Sequence, residues 1–204
     1  MIGKQIPFLY VIIDGRKGIL EKLRGIIKAR AEIVQLRDKN LSTRELIGLG
    51  QKVEKIVRNK SLFFINDRFD ISLAVRAQGV HLGQDDLPVR VVREVVGKRL
   101  RVGLSTHNLK ELKKSKTQPV DYVSFGPIFK TSTKTDALSP RGIDKLKEAV
   151  SHSNHPVVAV GGIKKDKVRE ILKTGVSGVA VSRAILEARD TYRATMEIRK
   201  EMGL

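Results

Sequence analysis

Residues 157–181 read VVAVGGIKKDKVREILKTGVSGVAV, and this stretch decides the fold. Its two ends, 157–160 and 178–181, are brief apolar runs of the kind found in strands buried on both faces. Between them Val168, Ile171 and Leu172 recur at helical steps over 166–173, and Gly175 is placed to end that helix. Strand, helix and strand make one crossover unit of a parallel sheet.

The same alternation fills the rest of the chain. Segments 8–13, 32–36, 62–65, 79–82, 101–104 and 122–125 read as further strands, short and rich in Val, Ile and Leu. In 43–58, Leu46, Leu49, Val53 and Ile56 mark one face of a helix, with Ser42 or Thr43 as its cap and Glu45 three residues beyond Ser42. Eight strand–helix units without a Pro/Gly/Ser-rich linker predict an α/β chain, one single-domain (β/α)8 TIM barrel spanning 1–204. No G-x-G-x-x-G follows the first strand, which argues against an open doubly wound sheet.

With 41% hydrophobic and 30% charged residues the composition is that of a folded globular chain. The absence of cysteine excludes disulfides, thiolate metal sites and a cysteine nucleophile. The apolar run at 8–13 is too short to span a bilayer and no small-residue cleavage site follows it, so a cytoplasmic protein without membrane association is expected. Forty Lys and Arg against 22 Asp and Glu leave a net charge of +18, which suits nucleic acid, acidic membrane surfaces or phosphorylated small molecules. The basic residues form no separate arm and aromatics are only 4% of the chain, so nucleic acid is not the expected partner.

A barrel gathers function where strands end and loops begin. Gln35, Arg37 and Lys39 alternate there, so on a strand they share one face, suited to a polyanion; an ion pair with Asp38 at a solvated loop start is the plainer reading. Asp67 and Asp86, with Asn66 alongside, are hard oxygen donors suited to Mg²⁺, or else caps of the helices that follow. Thr131, Ser132, Thr133 and Lys134 form a hydroxyl run with a cation, fit to wrap a phosphate or to make a polar loop. Gly161 and Gly162 let a backbone approach an anion, and Ser182 with Arg183 ends the eighth strand beside them. Of the four histidines, His107 follows Ser105 at a strand end and suits acid or base work, whereas His81 reads as a packed strand residue and His152 and His155 as loop residues. No Ser–His–acid set or histidine pair at metal spacing is present.

Taken in order, these motifs resemble the thiamine-phosphate synthase (thiamine-phosphate pyrophosphorylase) family over essentially the whole chain. The resemblance rests on Gln35–Lys39, Ile65-Asn66-Asp67-Arg68, the 79–86 segment GVHLGQDD, Ser105-Thr106-His107, Gly126-Pro127-Ile128-Phe129 with Thr131–Lys134, and Pro156–Ile163. It implies a transferase (EC 2.5.1.3) that joins 4-amino-2-methyl-5-hydroxymethylpyrimidine diphosphate to 4-methyl-5-(2-phosphoethyl)thiazole, giving thiamine phosphate and pyrophosphate. By the same resemblance Gln35, Arg37, Lys39, Asn66, Ser105 and Lys134 hold the pyrimidine diphosphate, with Arg37, Lys39, Ser105 and Lys134 catalytic. Asp67 and Asp86 ligate Mg²⁺, and Thr131–Thr133, Gly162, Ser182 and Arg183 hold the thiazole phosphate. Two positions depart from the family pattern: Lys130 stands where proline is usual, and Ser182-Arg183 shifts the serine by one residue. The sister family, a thiazole tautomerase, would use His107 without a metal. A basic nucleic-acid-binding barrel is the non-enzymatic alternative.

Overall fold

A computed structural model describes residues 7–131 and 139–204. Its strands are β1 (Phe8–Ile13), β2 (Ile33–Leu36), β3 (Leu62–Asn66), β4 (Gly79–Leu82), β5 (Arg101–Thr106), β6 (Tyr122–Phe125), β7 (Val157–Val160) and β8 (Gly178–Val181). Each pairs in parallel with the next, and β8 returns to β1 through Phe8↔Gly178 and Tyr10↔Ala180 to close the barrel. The (β/α)8 TIM barrel expected from the sequence is therefore present.

Strand alternation divides the apolar residues into two cores. Phe8, Tyr10, Ile33, Phe64, Tyr122, Val158 and Ala180 point into the barrel. Their neighbours Leu9, Val11, Val34, Phe63, Ile65 and Val80 point outward and pack beneath the helices. This double burial is why the strands read as unbroken apolar runs instead of alternating ones. Inside, large residues are matched to small: a Cβ on Gly79 would lie 2.2 Å from the Phe64 ring.

The covering helices are α1 (Ile19–Lys28), α2 (Thr43–Val57), α3 (Phe69–Ala74), α4 (Val89–Val96), α5 (Leu109–Ser115), α6 (Gly142–His152), α7 (Val168–Leu172), α8 (Arg183–Leu186) and α9 (Thr191–Met202). Ser42 caps α2 in a full capping box with Glu45, worth about 1 kcal/mol. None of the described helices is long and apolar enough to cross a membrane. A few of the basic residues make ion pairs on exposed helix faces, such as Lys145–Glu148 and Arg193–Glu197.

Several boundaries differ from those read in the sequence. Asn66, Ser105 and Thr106 belong to strands, because the ladder continues through Asn66↔His81, Ser105↔Ser124 and Thr106↔Phe125. Glu32 lies outside β2; its carboxylate accepts the Leu9 N–H at 2.8 Å and pairs with Arg199. The 166–173 helix divides into a 3-10 turn at Lys165–Lys167 followed by α7, and Gly175 takes the left-handed conformation just after it.

Candidate active site

Gln35 is buried at the C-terminal end of β2, where its Nε2 donates to the Tyr10 hydroxyl at 2.8 Å. The shared strand face expected for Gln35, Arg37 and Lys39 does not extend that far, because β2 stops at Leu36. Arg37 keeps one ladder bond, from its N–H to Ile13 O at 2.8 Å, and Lys39 sits exposed in the turn beyond. Among the described residues Asp38 forms no ion pair with either base. Its carboxylate instead accepts the N–H groups of Gly15, Asn40 and Leu41 at 2.9, 2.8 and 3.3 Å, fastening the β2–α2 loop to the β1–α1 loop.

Asp67 follows β3 with φ of 62°, a left-handed conformation that costs a non-glycine residue on the order of 1 kcal/mol. Its N–H is held by His81 O at 2.8 Å. The capping alternative fails for both aspartates: Arg68 and Pro88 occupy the N-cap positions of α3 and α4, and neither helix has a side-chain cap. Asp86 accepts the Gly83 N–H at 2.6 Å, and its carboxyl lies close enough to that of Asp67 to perturb it. Burial first, then the Asp86 carboxyl, pushes the Asp67 pKa up to about 7, while the Lys39 and Arg37 charges pull it down. Three loops thus bring two carboxyls and two bases into one electrostatic neighbourhood. Asp67 and Asp86 are the carboxyls here that could hold a metal, and among the described residues no third His, Cys, Asp or Glu joins them.

On the adjoining strand β5, Ser105 Oγ lies 2.9 Å from His81 Nε2, and its carbonyl accepts from Gln84 Nε2 at 2.5 Å. Thr106 is turned away, donating to Ser124 O at 2.8 Å. His107 Nδ1 donates to the Gly126 carbonyl at 2.8 Å, which leaves Nε2 of the neutral ring as an acceptor. His81 is a packed strand residue as expected, yet its ring also hydrogen-bonds with Tyr122, Ser105 and Ser124. Tyr10, Tyr122 and His81 were not among the site residues read from sequence.

At the opposite side of the mouth Thr131 is half-buried, whereas Ser132, Thr133 and Lys134 lie outside the described residues. Gly162 has φ of 65°, and a Cβ there would fall 2.5 Å from Lys130 O and 2.8 Å from Phe129 O. The close backbone approach read from the glycine pair is therefore an approach to the chain's own 129–130 segment, reinforced by the Phe129 N–H to Gly161 O bond at 3.0 Å. Ser182 is the N-cap of α8, its carbonyl accepting from Ile185 and Leu186. Arg183 Nε pairs with Glu187 at 2.5 Å. A groove of ≈ 490 Å³ lined by Ile19, Leu20, Leu41 and Leu49 lies between α1 and α2, apart from these groups, and carries no comparable set of convergent polar residues.

A closed parallel barrel whose carboxyls, bases and hydroxyls converge at the strand C-termini is the architecture of a TIM-barrel enzyme. A family model described as thiamine monophosphate synthase matches residues 9–185. Thiamine-phosphate synthase from Pyrococcus furiosus is 42% identical over 194 residues, covering 94% of this chain and 93% of the relative. The thiamine-phosphate synthase of Chloroflexus aurantiacus is 38% identical over 196 residues, covering 94% and 90%. The solved thiamine phosphate pyrophosphorylase of P. furiosus superimposes with a TM-score of 0.89 at 38% identity, covering 99% of this chain and 97% of the other. The chain belongs to the thiamine monophosphate synthase family, and it is a transferase.

Proposed function

We propose that the mouth of this barrel joins 4-amino-2-methyl-5-hydroxymethylpyrimidine diphosphate to 4-methyl-5-(2-phosphoethyl)thiazole, releasing pyrophosphate and forming thiamine phosphate. The observation that carries the reading is the meeting of Asp67, Asp86, Arg37 and Lys39 at one side of the mouth, within a chain of this family. Phosphorylated small molecules then account for part of the basic charge, and nucleic acid is not required. Residues 1–204 act as one catalytic domain, and a cytoplasmic location suits a chain with no membrane-spanning helix among its described residues.

The donor set fits Mg²⁺. Two neighbouring carboxyls, one with its pKa raised to about 7, would hold a divalent cation in place of that proton, and Mg²⁺ characteristically takes one or two carboxylates plus phosphate oxygens and water. When bound, the ion neutralises charge on the departing diphosphate.

The reaction is a substitution in which the bond from the pyrimidine methylene carbon to the diphosphate oxygen breaks, its electron pair leaving with pyrophosphate. The thiazole nitrogen lone pair then forms the new carbon–nitrogen bond. No protein nucleophile is needed. Arg37, Lys39 and Lys134 counter the charge that accumulates on the leaving group, where a fixed cation is worth about 10²–10³ in rate. Gln35, Asn66 and Ser105 orient the pyrimidine; Thr131, Ser132, Thr133, Gly162, Ser182 and Arg183 hold the thiazole phosphate so that its nitrogen faces the methylene carbon.

The test is product formation from purified protein and both substrates, with and without Mg²⁺, read by mass spectrometry. Thiamine phosphate formed only with the metal supports the reading, and none from folded protein at saturating substrate overturns it. The tautomerase reading draws on one observation, the orientation of the His107 ring by Gly126 O, and is checked with a thiazole phosphate carboxylate as sole substrate.

A further inference from the structure

A barrel interior has no need of polar groups, and here Phe8, Phe64, Val158 and Ala180 fill much of it. Yet two phenols and an imidazole are buried among them and joined in a chain from β2 to β5. Gln35 Nε2 donates to Tyr10 Oη at 2.8 Å; Tyr10 and Tyr122 hydroxyls meet at 2.9 Å; Tyr122 Oη is 2.8 Å from His81 Nδ1; and His81 Nε2 is 2.9 Å from Ser105 Oγ. The His81 and Tyr122 rings stack at 5.4 Å with 27° between their planes. Room for both comes from Gly103, where a Cβ would fall 2.2 Å from the Tyr122 ring and 2.5 Å from His81 Nδ1.

The proton count gives this chain a direction. Tyr10 oxygen accepts from Gln35, so its own single proton goes to Tyr122. The Tyr122 proton then goes to His81 Nδ1, and a neutral His81 carries its hydrogen on Nε2, which faces Ser105 Oγ at 2.9 Å and Ser124 Oγ at 3.3 Å and donates to the nearer Ser105. A reversed chain would require the Gln35 amide to turn over, and a His81 imidazolium would leave one phenol proton with no acceptor in the chain. Burying any such unpaired group is costly, so one arrangement satisfies every member. Its two ends are complementary: Gln35 keeps its carbonyl oxygen for an outside donor, and Ser105 keeps its hydroxyl proton for an outside acceptor.

Building on the proposed synthase reading, we propose that Tyr10, Tyr122 and His81 are positioning residues. They form a one-way relay that locks Gln35 as an acceptor and Ser105 as a donor, and so select an aminopyrimidine over its oxo counterpart. An aminopyrimidine presents a donor amino group beside an acceptor ring nitrogen. The oxo form presents the opposite pattern at the same two atoms.

Two measurements test the relay. In protein labelled with [15N]histidine, the ring-nitrogen shifts of His81, assigned by their loss in His81→Gln, are expected to show the neutral Nε2–H tautomer. The Nδ1–H tautomer or an imidazolium overturns the proposal, and this readout needs no turnover. In the second, kcat/KM is compared for the 4-amino pyrimidine diphosphate and its 4-oxo analogue. Wild type is expected to favour the amino form by at least about a hundredfold. Tyr122→Phe keeps the ring but frees the Tyr10 proton to turn back to Gln35, so the preference is expected to narrow at least about tenfold. An unchanged preference in Tyr122→Phe, or no preference in wild type, also overturns it. If wild type forms no thiamine phosphate at all, the synthase reading fails while the tautomer result still decides the relay.

Discussion

Asp67 and Asp86, from the loops after neighbouring strands β3 and β4, bring their carboxyls close together, and Asp67 holds its proton to about pH 7. The folded chain therefore binds that proton far more tightly than an unfolded one, whose aspartate titrates near 3.8. Stability from this group is complete at low pH and is lost as pH rises through about 7. Asp67→Asn is expected to be more stable than wild type at pH 8 and not at pH 4. After solvent screening the difference is about 1–2 kcal/mol, or roughly 2–8 °C in melting temperature for a chain of this size. Thermal melts of both proteins at the two pH values check it.

The same pair sets the expected metal response. Mg²⁺ should raise the wild-type melting temperature at pH 8 and much less at pH 5, where the proton competes with the ion. Asp67→Ala and Asp86→Ala should each lose that response and about 10²–10³-fold of Mg²⁺-dependent turnover while keeping the barrel. Unchanged metal dependence in both variants would remove the assignment.

Arg37 and Lys39 should not be equal. Arg37 is half-buried and tied to Ile13 O through its backbone, whereas Lys39 is exposed in the turn beyond. Water screens the second charge more. Arg37→Ala is expected to reduce kcat/KM about 10²-fold and Lys39→Ala about tenfold, measured by steady-state kinetics with the pyrimidine substrate varied.

His107 separates the two sister chemistries. A synthase loses an orienting ring in His107→Ala and is expected to slow by less than about tenfold, whereas an enzyme using the ring as its acid or base would lose about 10²–10⁴-fold. Turnover of each substrate set by this variant supplies the comparison.

The interior fit of the barrel is tested at Gly79, whose missing Cβ makes way for Phe64. Gly79→Ala is expected to destabilise by about 1–3 kcal/mol through overpacking. Adding Phe64→Leu should recover part of that loss, a coupling that a double-mutant cycle of denaturation midpoints reads directly.

Most strand positions were legible because strands buried on both faces must be apolar along their length, and 79–82, 122–125, 157–160 and 178–181 match the observed strands at both ends. The ends of β3 and β5 were not, since Asn66, Ser105 and Thr106 are polar and only the partner strand shows that the ladder continues through them. The capping box of α2 was readable because Ser42 and Glu45 act within one turn. The alternative capping roles for Asp67 and Asp86 were equally local readings, and they failed because a long-range neighbour claims each side chain. Ser132, Thr133 and Lys134 are proposed for the site by motif alone, since they lie outside the described residues.

By itself, then, the sequence determined the order of strands and helices, the closure into an eight-unit barrel, and the family. These follow from local periodicity and from motifs contiguous in the chain. Tertiary structure alone decided that Asp86 helps raise the Asp67 pKa, that the Asp38 carboxylate ties its loop to Gly15 instead of pairing with a neighbouring base, and that Tyr10, Tyr122 and His81 wire Gln35 to Ser105. Each of those is a contact between residues many positions apart. Its energy comes from burial and from the distance between partners, neither of which exists until the barrel has closed.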